Sequence, residues 1–146
     1  MIKIFLRITC NLFTFTPIIT SYRQLSRRRK ERMKDYFKYD EIKSYFDNFV
    51  AENSEALNDS DFRDELHYHA FNSDYYIIGT YQAKQWLGDK AFDVIGIVKD
   101  YEKFNFGEVT TDLSDPEMLV NMYAYIVGVD IVAEWLEANP LEEVEA

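Results

Sequence analysis

The chain has 146 residues, one domain's worth, and its 11 Phe and 11 Tyr can build a core without metal or disulfide. Its single cysteine, Cys10, excludes an intrachain disulfide and suits a reducing compartment. The formal net charge is -10, and the part of the chain that carries the excess acid should repel nucleic acid and anionic membrane.

That charge divides unevenly. Residues 1–32 carry 8 basic side chains against Glu31 alone, a net +7, and residues 33–146 carry 8 basic and 25 acidic ones, a net -17. We read residues 1–32 as a basic and apolar arm and 33–146 as an acidic helical domain. Ile4 to Thr20 is apolar, but it is shorter than the roughly 20 residues of a membrane span and holds Arg7, Asn11 and Pro17. It has no evident small-residue cleavage site, so it is poor as a signal peptide. If it did insert, the basic run would stay on the cytoplasmic side. The arm also admits a genomic reading. Lys30-Glu31 can be encoded by a purine run resembling a bacterial ribosome-binding site, which would place the native start at Met33.

The acidic domain opens with a helix over residues 35–51, where Tyr39, Ile42, Phe46 and Phe49 form one stripe. Asp59 or Ser60 is placed to cap a short helix through about Phe71, with Phe62, Leu66, His69 and Ala70 inward. The next run is ambiguous at its start. We expect one helix from about Asp74 to Leu87, ended by Gly88, with Gly79 inside it permitting close packing. Tyr75 to Ile78 could instead pair with Gly107 to Thr111 as a small hairpin. Residues 90–104 predict a helix with Ala91, Val94, Ile95, Val98 and Tyr101 inward and Asp93, Gly96, Asp100 and Lys103 outward.

The clearest start signal is Ser114-Asp-Pro-Glu117, which predicts Ser114 as N-cap and a capping box with Glu117. The helix that follows is apolar over a wide arc. Leu119, Met122, Ile126, Val129, Ala133 and Leu136 make one row, flanked by Val120, Tyr123, Val127, Ile131 and Trp135. So broad an apolar surface belongs at the centre of a bundle. Gly128 either admits a close neighbour or marks a bend. Asn139-Pro140 ends it, before an acidic tail. The expected fold is all-α, a compact bundle of four to five helices.

Residues for chemistry are sparse. Glu65, His67 and His69 are the leading candidates for metal binding or acid–base work, with Asp61 and Asp64 near enough in sequence to add a carboxylate. Asp112 and Asp115 could pair as general acid and base, but Asp115 is better explained by its place at a helix N-terminus. On a helix, His67 and His69 point about 200° apart, so only Glu65 and His69 could converge. The spacings of zinc sites are missing. There is no nucleophile constellation and no phosphate loop, so no cofactor is implied. Tyr101, Phe104 and Phe106 could stack on bases, anchor a protein interface or pack inward, and packing is the expectation.

From about Asp64 to Gly128, the stretches ELHYHAFNSDYYIIGTYQAKQWLG, FDVIGIVKDYEKFNFGEVTTDLSDPE and NMYAYIVG resemble a group of small tailed-bacteriophage proteins to which no activity is attached. The resemblance covers somewhat under half the chain. It implies expression in the cytoplasm of a bacterial host, and it carries no site residues.

The residues themselves favour a non-enzymatic protein that binds a basic protein surface, for example that of a nucleic-acid-binding host protein. It would act as an inhibitor or a DNA mimic, with Asp93, Asp100, Glu102, Glu108 and Asp112 as interaction residues. Two alternatives are a small hydrolase or metal-dependent enzyme around Glu65, His67 and His69, and a membrane-associated protein anchored through residues 1–32. Acidity also serves solubility alone.

Overall fold

A computed structural model describes residues 27–33, 35–72, 76–77 and 79–141. The apolar part of the arm and its membrane reading lie outside these residues. The chain forms two compact units, Met1–Lys34 and Asp35–Ala146. In the first, residues 27–33, which hold most of the basic run, are helical.

Among its described residues the second unit is all-α, with six α-helices where four to five were expected. Its helices are α1 (Tyr39–Glu52), α2 (Ser60–Asp64), α3 (Leu66–Ala70), α4 (Thr80–Leu87), α5 (Ala91–Phe106) and α6 (Pro116–Ala138). Short 3-10 turns at Ala56–Asn58 and Gly88–Lys90 precede α2 and α5. Helix α6 is the axis, and α1, α3, α4 and α5 all pack on it. Its buried residues, among them Leu119, Val120, Tyr123, Ala124, Val127, Ile131 and Val132, face every covering helix. The wide apolar arc therefore has the meaning expected of it: a helix apolar on most sides needs neighbours on most sides.

Each covering helix brings an apolar face to this axis. Helix α1 contributes Ile42 and Phe46, α4 contributes Ala83, Trp86 and Leu87, and α5 contributes Val94 and Val98. Aromatic rings fill the spaces between. Phe46 stacks on Phe71 at 6.0 Å and meets the Trp135 ring edge-on at 6.2 Å. Trp86 and Tyr123 meet at 6.0 Å.

The expected hairpin is not formed. Among the described residues there is no strand, and residues 107–111 are irregular. Gly107 ends α5 in a left-handed conformation, φ 81°. The N–H groups of Thr110 and Thr111 then donate to the Glu102 carboxylate, where a strand would pair them with a neighbour. Tyr75 and Ile78 lie outside the described residues. Between them, the Ile77 N–H donates to Asn121 Oδ1 at 2.8 Å, and the Ile77 carbonyl accepts from Asn121 Nδ2 at 2.9 Å. A buried side-chain amide thus does the work of a partner strand.

Four helix boundaries also differ from expectation. Helix α1 starts at Tyr39, not at residue 35, because Lys38 before it is in a left-handed conformation, φ 56°. Helix α4 starts at Thr80, not near Asp74, because Gly79 has φ 108° and cannot continue a helix. The helix expected from residue 60 to 71 is two, broken at Glu65. Asp59 caps the first, its side chain accepting from the Asp61 N–H at 3.1 Å. The N-cap of α6 is Asp115, not Ser114: its Oδ1 accepts from the N–H groups of Glu117 and Met118. Ser114 instead donates its N–H and Oγ–H to Asp112. Glu117 accepts from Thr80 Oγ1 at 2.9 Å, joining α6 to the start of α4.

Gly128 is the point of closest packing. A Cβ built there would stand 2.4 Å from Cδ2 of Phe71 and 2.6 Å from its Cγ. The ring has no room to retreat, since Phe71 is buried between Tyr45 and Phe46. We expect Gly128→Ala to lower stability. Overpacking costs about 1–3 kcal/mol, and the better helix propensity of alanine returns only about 1 kcal/mol. Adding Phe71→Leu should cost less in the alanine variant than in the wild type. Urea unfolding of the four chains of this cycle measures that coupling, and strict additivity would deny the contact its role.

Candidate functional site

The five acidic candidates separate into two kinds. Asp93, Asp100, Glu108 and Asp112 are exposed. Glu102 is not on the surface: it is 1% exposed and is consumed inside the fold. It lies one turn after Val98 on the inner face of α5, where the following loop covers it. Its Oε1 accepts from the N–H of Thr110 at 3.0 Å and of Thr111 at 2.9 Å. Its Oε2 accepts from the two threonine hydroxyls at 3.1 and 2.7 Å. Burial alone would raise its pKa, but these four donors outweigh burial and hold it below the ordinary value of 4.5. Asp112 is also engaged, its carboxylate held by Ser114 and lowered in pKa by those hydrogen bonds.

That leaves α5 with a definite outward pattern. Asp93, Ile97, Asp100 and Phe104 are spaced four, three and four residues apart, so they form one stripe. The two carboxylates are about 10 Å apart along it at 1.5 Å rise per residue. A second stripe beside it holds Phe92, Lys99, Lys103 and Phe106. Phe92 is 84% exposed, Phe104 67% and Phe106 55%. The expectation that Phe104 and Phe106 pack inward is thus overturned. Tyr101 alone turns in, half-buried, and meets the Phe106 ring edge-on. The opposite side of α5 is fixed on α6. The outer face is therefore a rigid display of acids, cations and large apolar rings.

The histidine cluster does not converge. His67 and His69 lie in α3, and each ring is held by a different aromatic group. His69 stacks on Phe62 at 4.4 Å, and Phe62 stacks in turn on Phe49. His67 meets Tyr125 of α6 at 5.9 Å. Burial lowers the His67 pKa, and Glu65 opposes that only in part. Glu65 is exposed at the break between α2 and α3, where its carbonyl accepts from Tyr68 and His69. Among the described residues, no group of three or more His, Cys, Asp or Glu is placed to hold a metal ion.

A recess of about 600 Å³ opens between the end of α1, the α2 region and the end of α6. Val50, Leu57, Arg63, Trp135 and Leu141 are among its lining residues. Arg63 lies over the Trp135 ring at 5.1 Å. It donates to the carbonyls of Leu57 and Asn139, so its guanidinium ties the two ends together. No acid–base pair lines this recess.

No family model, no curated protein and no solved structure matches the chain. The phage resemblance therefore rests on the sequence alone. By length and composition α6 could cross a membrane, yet 56% of its apolar window is buried inside this fold, as a core helix's would be.

The Glu102 clasp yields a measurable expectation. Glu102→Gln keeps one acceptor oxygen and turns an amide NH₂ towards the donors. It should cost about 2 kcal/mol, the scale for hydrogen bonds to a charged group. In the wild type the folded pKa is depressed, so the stabilisation is complete above the unfolded value near 4.5 and is lost as pH falls through the lower folded value. Chemical denaturation between pH 7 and pH 3 should show this component in the wild type and not in Glu102→Gln.

Proposed function

We propose that this protein is a non-enzymatic binding module. Its outward α5 face engages a protein partner whose surface is basic and partly apolar. The observation that carries this reading is the Asp93–Ile97–Asp100–Phe104 stripe, with Phe92 and Phe104 largely in solvent on a helix whose other side is locked to the core. Large exposed aromatics that a core could have used are characteristic of interaction surfaces. Lys99 and Lys103 balance Asp93 and Asp100 on the face itself, so steering of a partner of opposite charge falls to the acidic surface around it. The net -17 of residues 33–146 supplies the long-range part of that field. In keeping with the phage resemblance, the partner in this reading is a host or phage protein of a bacterial cytoplasm. In the DNA-mimic version, Asp93 and Asp100 stand where two phosphates would.

The test begins with affinity capture from bacterial lysate, using wild type and Asp93→Lys/Asp100→Lys side by side. The partner that only the wild type retains is then purified. Its Kd should weaken about tenfold or more between 50 and 300 mM salt, and Phe104→Ala should weaken it further. Competition by duplex DNA would mark the partner's nucleic-acid site as the surface engaged. A partner bound equally by the wild type and the charge-reversed chain would defeat the proposal.

A further inference from the structure

Lys38 is the one non-glycine residue with positive φ among the described residues, at φ 56° and ψ 33°. Lysine adopts this left-handed conformation only at a cost, so something in the surroundings must hold it there. Backbone hydrogen bonds supply that hold: the Tyr39 N–H donates to the Tyr36 carbonyl at 3.2 Å and the Ile42 N–H to the Lys38 carbonyl at 3.1 Å. The Lys38 side chain has defined surroundings of its own. Lys38 Nζ lies 4.9 Å from the Trp86 ring centre, 5.7 Å from the Phe37 ring centre and 3.7 Å from Glu41 Oε2. The two rings stand nearly perpendicular, 78° apart with centres at 5.3 Å, and so form two walls of a corner. Glu41 closes the third side.

The walls are built independently of the lysine. Trp86 is buried, and its indole N–H donates to Glu41 Oε1 at 2.7 Å, fixing both ring and carboxylate. Tyr76 approaches the same oxygen at 3.4 Å and meets Trp86 edge-on at 6.0 Å. Phe37 is anchored through its carbonyl, which accepts from Tyr123 Oη at 2.8 Å. The mouth is open: the side chains of Lys38 and Glu41 are 32% and 53% exposed. Two aromatic faces and a carboxylate at fixed positions are the arrangement that binds alkylammonium cations.

We propose that Phe37, Trp86 and Glu41 form a binding site for an alkylammonium group presented by a partner molecule, and that Lys38 occupies it as an internal stand-in. None of these residues lies on α5, so this site stands whether or not the α5 face binds protein.

The test empties the site. Lys38→Gly removes the stand-in and suits the left-handed backbone, and Lys38→Asn, also tolerated there, serves if the glycine variant fails to fold. Choline is the probe, and 3,3-dimethylbutan-1-ol is its uncharged isostere. NMR of the full chain reads the two indole N–H signals, with Trp135 as internal control. In the emptied variant, choline should shift the Trp86 signal saturably, with at least tenfold higher affinity than in the wild type. The isostere should have no such effect. Glu41→Gln, which keeps an acceptor for the indole, should weaken choline binding at least threefold in the Lys38→Gly background. An emptied, folded variant whose Trp86 signal ignores choline would overturn the proposal. So would equal responses to choline and its isostere, or equal affinity in wild type and variant.

Discussion

A helix that is apolar on nearly every side cannot be left beside water, and α6 imposes this requirement on the rest of the domain. Its hydrophobic residues are not confined to one stripe, so a single partner helix would leave much of it wet. The chain meets the requirement with several short helices wrapped around one long one. Short helices need many connections, and connections close to a core bring backbone N–H and C=O groups where water is scarce. Side chains resolve that conflict. Asn121, buried in α6, satisfies both backbone groups of Ile77. Glu102 takes the N–H groups of two successive threonines. Asp130, the other polar residue buried in α6, accepts from Tyr36 Oη at 2.6 Å and so holds the segment that leads into α1.

How much of this was legible in the sequence depends on whether the deciding partner is local. The arc of α6 is a local property, and its central position followed from it. The cap of α6 was legible too, in a detail that the capping-box pattern obscures. Proline favours the first helical position, so Pro116 itself designates Asp115, not Ser114, as the residue before the helix. Glu102 falls one turn after Val98 and belongs to the inner row by periodicity, and only its charge argued for the surface. The Tyr75–Ile78 region is different. Its β-branched and aromatic residues suggest a strand, but the group that binds Ile77 lies 44 residues away. No window of local sequence records that pairing.

The candidate site was legible in part, for the same reason. Asp93 and Asp100 were placed outward by simple helical spacing, and they are outward. Phe104 and Phe106 were drawn inward by the general rule that aromatics are buried, although the same spacing that exposes Asp100 also exposes Phe104. Periodicity should outrank residue type when the two disagree on a helix already anchored by Val94 and Val98. The cation corner was illegible. It joins Phe37 and Lys38 from the lead-in to α1, Glu41 from α1 and Trp86 from α4, which tertiary packing alone brings together.

The two surfaces differ in what binding would cost them. The α5 face presents long exposed side chains on a rigid helix. A partner there gains apolar area and loses little backbone freedom on this side, while the charges act at a distance and are weakened by salt. The corner around Trp86 is already organised, and its carboxylate is held by the indole N–H. A cation entering it finds its contacts prepaid, but must first displace Lys38. On these two proposals the exposed patch would govern encounter, and the open-mouthed corner already filled by Lys38 would govern selection, because only a cation that outcompetes a covalently attached rival would be retained. An acidic domain that held its counter-charges loosely on the surface would not discriminate in this way. On that proposal, discrimination would come from Lys38, held over two aromatic rings beside Glu41.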